Sequence, residues 1–537
     1  MMEIMKNNRS ANFAKRYSTT RRQSDLDSLL NQMPPAFESF FIEEPKLLFA
    51  GNFTGVDPKV GIEQYGPFSK SKPIIRIGII GSGDGINTFR AYLDNARRPI
   101  RPGLNARGKH YDPLVIPDFP GVDEVTAFRT NFVTDTSLQR SIPEKRFEIA
   151  VKSDNVTAKL RNVIELVIKE LEVLADSEPE PDVVVVIMPP IVERECAGVG
   201  TAFRNTKLIL TPPQRFERKL LKRRHKTGQE FFPFDFSDAS VDGEQGYWNF
   251  HHALKAHAMK FDLPTQLVWE GRLGQGRTQD PASVAWNLFT ALYYKAGNIP
   301  WQLQHISPNT CYVGISFYKE SPLGGAGMQT SLAQVFSGAG EGLVLKGGRA
   351  IVDKKRDLQP HLDDQGAERL LQQAIALYEQ HNHNKPSRVV VHKTSRYWPE
   401  ELSGFKRALE DIYLYDFLTL EKLDARFMRI AKEPPIRGTV IALAHRHYAV
   451  YTVGYIPYFR AYPGMRIPIP LEIVEHHGDS PAEQICRELI ALTKVNWNSC
   501  AFASSEPITI QFARTVGRIL TEMPMGVPPQ TKYKFYM

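Results

Sequence analysis

Residues 74–96 read IIRIGIIGSGDGINTFRAYLDNA and decide the fold class of the first half of the chain. The run IIRIGIIG is apolar at almost every position, which is typical of a strand buried on both faces of a sheet. A glycine turn follows it, and INTFRAYLDNA then repeats apolar residues at helical spacing. A second helical stretch, VTAKLRNVIELVIKELEVLAD (156–176), precedes a second buried strand, DVVVVIMPP (182–190). This alternation predicts a parallel sheet covered by helices.

The pattern changes after Trp301. Three successive strands, a helix and a returning strand are predicted in CYVGISFY (311–318), TSLAQVFS (330–337), GLVLKGG (342–348), AERLLQQAIALYEQ (367–380) and RVVVHK (388–393). This is the order of an RNase H-like core. The predicted fold class is therefore α/β, with a Rossmann-like domain followed by an RNase H-like domain. Further on, Ser480 and Glu483 predict a capping box at the start of the helix PAEQICRELIALTK.

Composition excludes several classes of protein. The chain has 537 residues, of which 42% are hydrophobic and 23% charged, as expected for a folded protein of several domains. No apolar run approaches the roughly 18 residues of a membrane-spanning helix, and the first twenty residues lack the apolar stretch of a secretory signal. We therefore expect a cytoplasmic protein. The four cysteines form no close pair, which argues against a disulfide framework and a zinc knuckle.

The chain is basic. Lysine plus arginine at 67 against aspartate plus glutamate at 59 gives a net charge of +8, which favours a polyanionic partner. Most of this excess lies in RFERKLLKRRHK (215–226), and a basic cluster, Arg9, Lys15, Arg16, Arg21 and Arg22, lies within residues 1–43, which are predicted as a flexible tail. For both stretches a solvated surface and a contact with nucleic acid remain open.

The glycine turn GSGDG (81–85) follows a strand and opens a helix, as in dinucleotide-binding proteins. That fingerprint also needs a small third residue so that the helix can pack on the strand, and Ile86 takes its place. A nicotinamide-dependent oxidoreductase would further need an acidic ribose-binding residue at the end of the next strand, and no convincing one is present. We interpret the glycines as a tight turn between strand and helix.

A candidate anion pocket follows from the spacing of four polar residues. His251 and Lys255 lie four apart in YWNFHHALKAHAMKF, so a helix presents both on one face. Gln266 follows the turn at Pro264, and a second helix, which begins at Asp280 and Pro281, ends near Lys295. Lysine is a compact phosphate binder, and a protonated histidine would add a third cation.

HHALKAHAMKFDLPTQ (251–266), followed by YYKAGNIPW (293–301), resembles the guide-binding signature of the MID domain in Argonaute proteins. In that family the corresponding residues hold the 5′-phosphate of a guide strand, and the positions fall on His251, Lys255, Gln266 and Lys295. The resemblance covers residues 44–537 and is strongest to the short prokaryotic Argonautes, which have only MID and PIWI domains. It implies a flexible basic tail (1–43), a lead-in and MID domain (44–300) and a PIWI domain (301–537).

The resemblance also implies a cofactor. In the family the C-terminal carboxylate, here on Met537, lies beside the pocket, often with a divalent ion that bridges it to the guide phosphates. We therefore expect a structural Mg²⁺ at the guide 5′-phosphate, with Gln266 and the terminal carboxylate of Met537 as its protein contacts.

The nuclease centre of the family is altered in this sequence. An RNase H-like nuclease needs several carboxylates to hold two metal ions. Where active Argonautes place these ligands, this chain has Ser316 in CYVGISF, Thr394 in RVVVHKTS and Arg514 in PITIQFARTVGR. Glu320 lies four residues from Ser316, about 13 Å along a strand, which is too far to replace it. We therefore expect no cleavage of the target.

What remains is binding. The resemblance implies a catalytically inactive sensor of invading nucleic acid, guided by RNA and targeting DNA, in a prokaryotic defence system against plasmids or phage. HKTSRY (392–397), Arg437, Lys494 and Asn496 lie in segments that line the guide–target channel in relatives, and each could equally be an ordinary surface feature.

Short Argonautes act through a separate partner, in which a PAZ-like domain is joined to a sirtuin-like or Toll/interleukin-receptor-like NADase, or to a nuclease. We expect such an effector partner here, with higher oligomers possible on activation. The alternative is a catalytically active PIWI-type guided nuclease that uses ligands at other positions.

Overall fold

A computed structural model describes residues 37–537, except residues 70–71, 105–107, 154, 198–246, 274–279, 305, 308, 320–327, 337–341, 354, 358, 430–433, 465 and 525. For residues 319 and 328–336 it describes the backbone alone. The predictions made for the basic cluster before residue 37, for the basic run 215–226 and for Glu320 therefore lie outside the described residues.

Seventeen strands are present in the described part of the chain, and they form three sheets. In chain order they are β1 (Ser39–Phe41), β2 (Leu47–Leu48), β3 (Thr54–Gly55), β4 (Ile74–Gly81), β5 (Asn131–Val133), β6 (Gln139–Ser141), β7 (Val183–Met188), β8 (Thr265–Trp269), β9 (Gln302–Leu303), β10 (Thr310–Lys319), β11 (Met328–Phe336), β12 (Gly342–Arg349), β13 (Arg388–Lys393), β14 (Leu414–Lys422), β15 (Thr439–Ala444), β16 (His447–Val450) and β17 (Leu471–Gly478).

Ten helices longer than one turn accompany the strands in the same part of the chain. They are α1 (Pro58–Tyr65), α2 (Gly83–Asn95), α3 (Glu144–Ala150), α4 (Val156–Ala175), α5 (Phe250–Ala258), α6 (Pro281–Lys295), α7 (Asp364–Asn382), α8 (Pro399–Leu409), α9 (Ala482–Leu492) and α10 (Ile508–Leu520). None of these described helices combines the length and the apolar character needed to cross a bilayer.

The first half contains the predicted parallel sheet. Its strands run in the order β5-β4-β7-β8, with β6 also paired to β4, and every pairing is parallel. Helix α2 covers one face and helix α4 the other. The turn after β4 needs glycine at Gly81, because a Cβ there would lie 2.4 Å from the side chain of Ile187 on β7. The glycine turn thus serves strand packing.

The second half contains a nine-stranded sheet in the order β1-β15-β16-β17-β14-β13-β10-β11-β12. Strands β10, β11 and β12 form an antiparallel meander, and after α7 the chain returns in β13, parallel to β10. This confirms the predicted RNase H-like order. Helices α7 and α8 cover one face of the sheet, whereas α9 and α10 cover the other.

Two local expectations from the sequence are wrong. Residues 39–41, assigned to the flexible tail, instead form β1, which pairs with Thr439–Ile441 at the far edge of the large sheet. A three-residue strand is too short to show a period in sequence. The capping box at Ser480 does not form either, because its hydroxyl donates to Asp416 Oδ2 at 2.6 Å and Pro481 occupies the N-cap of α9.

The two halves share one hydrophobic core. Buried residues of α2, α6, α9 and α10 belong to a single cluster, which also contains Trp301 at the junction. The indole of Trp301 donates to the carbonyl of Lys494, and the indole of Trp497 donates to the carbonyl of Trp301. These contacts fix the first half of the chain against α9 and α10 of the second, so a site on α5 or α6 has a defined relation to the large sheet.

Candidate nucleic-acid interface

The four residues of the predicted pocket lie on three elements of the first half. His251 and Lys255 are on α5, whose N-cap, Asn249, accepts a hydrogen bond from the amide of His252. Gln266 is the second residue of β8, and Lys295 is the last residue of α6. Helix α6 begins as predicted, because Asp280 caps it through the amide of Ser283 and Pro281 is its first residue.

The structure brings these four residues together. Lys295 Nζ donates to Gln266 Oε1, and Lys255 Nζ donates to the carbonyl of Thr265, the neighbour of Gln266 on β8, at 2.9 Å. The charges of both lysines contribute to lowering the pKa of His251, so all three side chains face one region. The helix spacing and the proline turn therefore place the residues as the sequence predicts.

The electrostatics of this cluster are unusual. Lys255 is 2% exposed and Lys295 is 0% exposed, yet their hydrogen bonds go to neutral oxygens. Within the described residues neither ammonium pairs with a carboxylate. Burial accordingly lowers the pKa of Lys255 to about 7, and burial together with the charge of Lys255 lowers that of Lys295 well below its usual value. An anion bound here would supply the missing countercharge.

His251 differs from the expectation of a third cation. Burial, followed by the charges of Lys255, His252 and Lys295, lowers its pKa well below the usual value. The imidazole is therefore neutral at physiological pH in the ligand-free protein, and it offers a hydrogen bond in place of a positive charge.

Two adjoining cavities open beside the cluster. One, of about 310 Å³, is lined by His251 and Trp269, and the other, of about 410 Å³, by Gln266, Trp269 and Asn498. Arg272 lines both cavities and is held by Glu193. Both volumes lie in the range of small-ligand sites, so the cavities could receive the nucleoside attached to a bound phosphate.

Glu522 supports α5 from the second half, and sequence reasoning missed it. Its carboxylate accepts hydrogen bonds from the backbone amides of Trp248 at 2.9 Å and Asn249 at 2.8 Å. Burial raises the pKa of Glu522 to about 7, although these two bonds oppose the shift. No local signal could reveal this partner, because Glu522 lies more than 270 residues from the helix that it supports.

The C-terminus lies against α6. The last helical turn, Tyr533–Phe535, packs on this helix, and the ring centroids of Tyr294 and Tyr533 are 6.0 Å apart. Met537 is buried. The terminal segment is therefore attached to the helix that ends at Lys295.

Two of the three positions that were predicted to lack nuclease ligands, Ser316 and Thr394, lie next to adjacent strands of the large sheet. Ile315 on β10, Lys393 on β13 and Thr419 on β14 are level in parallel register. Ser316 and Thr394 are the next residues of their chains, and β13 ends at this level whereas β10 and β14 continue. Gly314 contacts Thr509 of α10, and His392 donates to or accepts from the same threonine. Because side chains alternate along a strand, Ser316 and Thr394 also face α10, the helix that carries Arg514.

The chemistry of this centre is basic. Arg514 donates to Glu506 at 2.6 Å, and Lys422 lies 3.3 Å from the same carboxylate. Among the described residues, no group of three or more histidine, cysteine, aspartate or glutamate side chains is placed to hold a metal ion.

Several residues expected near a nucleic-acid channel are buried instead, namely Arg437, Lys494 and four residues of HKTSRY: His392, Lys393, Ser395 and Tyr397. Arg437 is 2% exposed and binds Glu44 with a bidentate contact, and Lys494 Nζ donates to Glu44 at 2.8 Å. Both cations hold the lead-in segment against the large sheet. Asn496 is half-buried and contacts Gln511. Sequence alone could not show this, because Glu44 is 393 residues away from Arg437 and 450 residues away from Lys494.

The chain is similar to proteins of known structure over nearly its whole length. Clostridium butyricum Argonaute, solved with a guide DNA and a 19-mer target DNA, matches with a TM-score of 0.57 at 14% identity over 92% of this chain and 54% of that protein. A structure of A. aeolicus Argonaute with externally bound siRNA matches with a TM-score of 0.53 at 14% identity over 93% of this chain and 56% of that protein.

A relative is also found by sequence. The protein argonaute of Aquifex aeolicus (strain VF5) is 23% identical over 281 residues, which is 52% of this chain and 36% of that protein. The chain thus spans about a third of the length over which this relative extends, and just over half of each matched structure. No family model matches the chain. Its mixed α/β sheets and their helical cover are those of the MID and PIWI portion of Argonaute structures, and the chain is an Argonaute-like protein in its fold.

Proposed function

We propose that this chain binds a guide nucleic acid by its 5′-phosphate and uses it to recognise a complementary target. The observation that carries the proposal is the pair of buried lysines, Lys255 and Lys295, whose acceptors are neutral. A buried cation without a countercharge is unfavourable, and a phosphate removes the penalty. The C. butyricum Argonaute that shares the fold was solved with guide and target DNA, which supports this choice of ligand.

Each residue of the pocket has a distinct part in this proposal. Lys255 and Lys295 neutralise the phosphate, and Lys295 exchanges the amide oxygen of Gln266 for a phosphate oxygen. Gln266 Nε2 donates one hydrogen to the carbonyl of Leu267 at 3.1 Å, and its second hydrogen can be donated to the guide. The phosphate also favours the protonated form of His251, because its negative charge opposes the effects that lower the pKa of this imidazole.

Magnesium fits this pocket only together with the guide. Gln266 Oε1 and the terminal carboxylate of Met537 are hard oxygen donors, which suit Mg²⁺. The buried amino groups of Lys255 and Lys295 lie close to Gln266 and disfavour the binding of Mg²⁺ without the guide phosphate. Mg²⁺ commonly takes few protein ligands plus substrate phosphates. We propose that Gln266 and the terminal carboxylate of Met537 would hold it together with the guide phosphates, where its charge would offset the repulsion between the phosphates and the chain terminus.

We further propose that the chain senses a target without cutting it. Ser316, Thr394 and Arg514 stand where metal-holding carboxylates would be needed, and arginine repels divalent cations. A protein that catalyses no reaction can act only if target binding stabilises one of its conformations. A second polypeptide must then bind that conformation selectively.

We propose as that second polypeptide an effector with a PAZ-like domain joined to a sirtuin-like, Toll/interleukin-receptor-like or nuclease domain. The pair would defend a prokaryotic cytoplasm against plasmids or phage, with an RNA guide and a DNA target. These assignments rest on the resemblance to short prokaryotic Argonautes.

The first test is guide binding. The unmodified chain should bind a 5′-phosphorylated guide more tightly than the same strand with a 5′-hydroxyl. Lys255→Met and Lys295→Met should each remove most of that preference, because each deletes one cation from the pocket. Lys260→Met is the matched control, since Lys260 lies just after α5 but is exposed. Equal affinity of the unmodified chain for both guides would refute the pocket.

The second test separates sensing from cleavage. Guide-loaded protein is incubated with a complementary labelled target, first alone and then with the co-expressed effector. We expect an intact target in the first case, and NAD loss or degradation of nucleic acid in the second. Cutting at a fixed distance from the guide 5′ end, abolished by a chelator, would favour the alternative of an active guided nuclease.

A further inference from the structure

The end of the large sheet where the substituted nuclease positions meet carries two cations that share one carboxylate. Arg514 Nη1 donates to Glu506 Oε1 at 2.6 Å, and Lys422 Nζ lies 3.3 Å from the same oxygen. The carboxylate side chain is 11% exposed, whereas the arginine side chain is 35% exposed and the lysine side chain 60% exposed. The acid is therefore the inner member, and both cations extend toward solvent.

The register places this cluster beside Ser316 and Thr394. Thr419 on β14 is level with Ile315 and Lys393, the residues that precede Ser316 and Thr394. Leu420 follows Thr419, and Lys422 lies two positions beyond Leu420, about 7 Å along the strand. Leu420 belongs to the core cluster that contains residues of α10, so Lys422, two residues on, faces the same side of the sheet. Lys422 and Arg514 thus flank the place where metal ions lie in an active nuclease of this fold.

The cluster of Arg514, Lys422 and Glu506 has a net positive charge and hydrogen-bond donors that could bind an anion. Its formal charge is +1, because two cations share one carboxylate. Glu506 is the only hydrogen-bond acceptor that Arg514 has in the described chain, and it engages one of the three guanidinium nitrogens. The remaining donors of the guanidinium form a planar fork, whose geometry matches two oxygens of a phosphate.

We propose that Arg514 and Lys422, oriented by Glu506, form a metal-free clamp for one backbone phosphate of the target strand. This inference rests on the proposed guide-dependent function and adds a second phosphate site to it, at the opposite functional centre. The clamp keeps the positive charge that metal ions would have presented to the target at this point. It activates no water molecule, because neither side chain supplies a metal-bound hydroxide.

The clamp predicts a position-dependent loss of target affinity. The chain is first loaded with a 5′-phosphorylated guide, and guide affinity is measured separately. The variant Arg514→Gln/Lys422→Gln should bind the target about tenfold more weakly, and its slope of log affinity against log salt should fall by about one. Guide affinity should not change. The control is Arg407→Gln/Lys385→Gln, which removes two cations that contact carboxylates away from this centre.

A target with single methylphosphonate replacements identifies the phosphate itself. In the unmodified chain, neutralising one phosphate near the middle of the target should weaken binding, and in Arg514→Gln/Lys422→Gln the same replacement should have no further effect. This loss of coupling cannot arise from a change in folding alone. The clamp is refuted if guide binding is normal and the variant has the target affinity and salt slope of the control. A failure to bind guides would instead refute the proposed function.

Discussion

Lys295 and Lys393 are both fully buried lysines at the ends of regular elements, but their surroundings are opposite. Lys393 Nζ contacts both oxygens of Glu401 at 2.6 Å, and that carboxylate also binds His361 at 3.1 Å. In the described part of the chain, Lys295 donates a hydrogen bond to the amide oxygen of Gln266 and pairs with no carboxylate. A buried lysine with its carboxylate is part of the scaffold, whereas one without a carboxylate marks a place where a ligand completes the charge. The large sheet and the candidate guide pocket therefore differ in whether a buried lysine has a carboxylate partner.

The largest effect is expected from breaking the scaffold pair. Glu401→Gln leaves Lys393 buried without a countercharge and should lower the free energy of unfolding by about 3–5 kcal/mol. Chemical denaturation at neutral pH measures this change. Arg407→Gln breaks exposed ion pairs on the same helix and should lower it by less than about 1 kcal/mol. Similar losses in both variants would remove the distinction between buried and exposed pairs.

Measuring stability at several pH values tests the lysines of the pocket, which have no carboxylate partner among the described residues. Burial lowers the pKa of Lys255 from 10.5 to about 7 in the folded chain, whereas the unfolded chain keeps the usual value. Between these values the unfolded state binds more protons, so stability of the ligand-free protein should rise with pH.

In Lys255→Met the increase in the free energy of unfolding with pH should be smaller. The difference should be about 1.4 kcal/mol for each unit by which burial lowers the pKa of Lys255. Denaturation at several pH values between 7 and 10 measures the slope. An unchanged slope in the variant would show that Lys255 titrates normally and that the pocket carries no electrostatic strain.

The same substitution at the two lysines should have opposite signs. Lys295→Met replaces a buried lysine that has no carboxylate partner among the described residues by an apolar chain, so the free energy of unfolding should stay constant or rise by up to about 2 kcal/mol at pH 7. Lys393→Met should lower it, because Glu401 loses its countercharge. Parallel denaturation of the two variants decides the point. A marked loss of stability in Lys295→Met would place Lys295 in the scaffold.

The smallest effect concerns Glu522, the carboxylate that supports α5. Its pKa is raised from 4.5 to about 7, so the folded state holds a proton that the unfolded state has already released in this range. The stability it contributes is complete below pH 4.5 and is lost as pH rises through 7. Glu522→Gln should flatten this part of the curve and change stability at pH 7 by no more than about 1 kcal/mol. A variant that retains the full slope would assign the titration to another group.

Much of the fold could be predicted from local patterns. The buried strand predicted in 182–190, the cap at Asp280 and the helix that ends at Lys295 are set by residues close in sequence. The structure has the strand at Val183–Met188 and the helix at Pro281–Lys295. Short or distant contacts could not be predicted in this way. Strand β1 pairs with residues about 400 positions away, and Ser480 leaves its expected cap for Asp416 on a neighbouring strand.

For the candidate site, too, some properties follow from local sequence and others depend on tertiary contacts. Sequence by itself determined which residues enter the pocket, because helix spacing and the turn at Pro264 place His251, Lys255 and Gln266 within one stretch of chain. Only the tertiary structure decided their charge states, since a pKa depends on burial and on every neighbouring group. The tertiary structure also decided that Arg437 and Lys494 are buried and pair with Glu44. Arg514 and Lys422 pair with Glu506 instead, and their side chains remain partly exposed. The physical reason is that spacing is a property of the chain, whereas desolvation and countercharge are properties of the packed molecule.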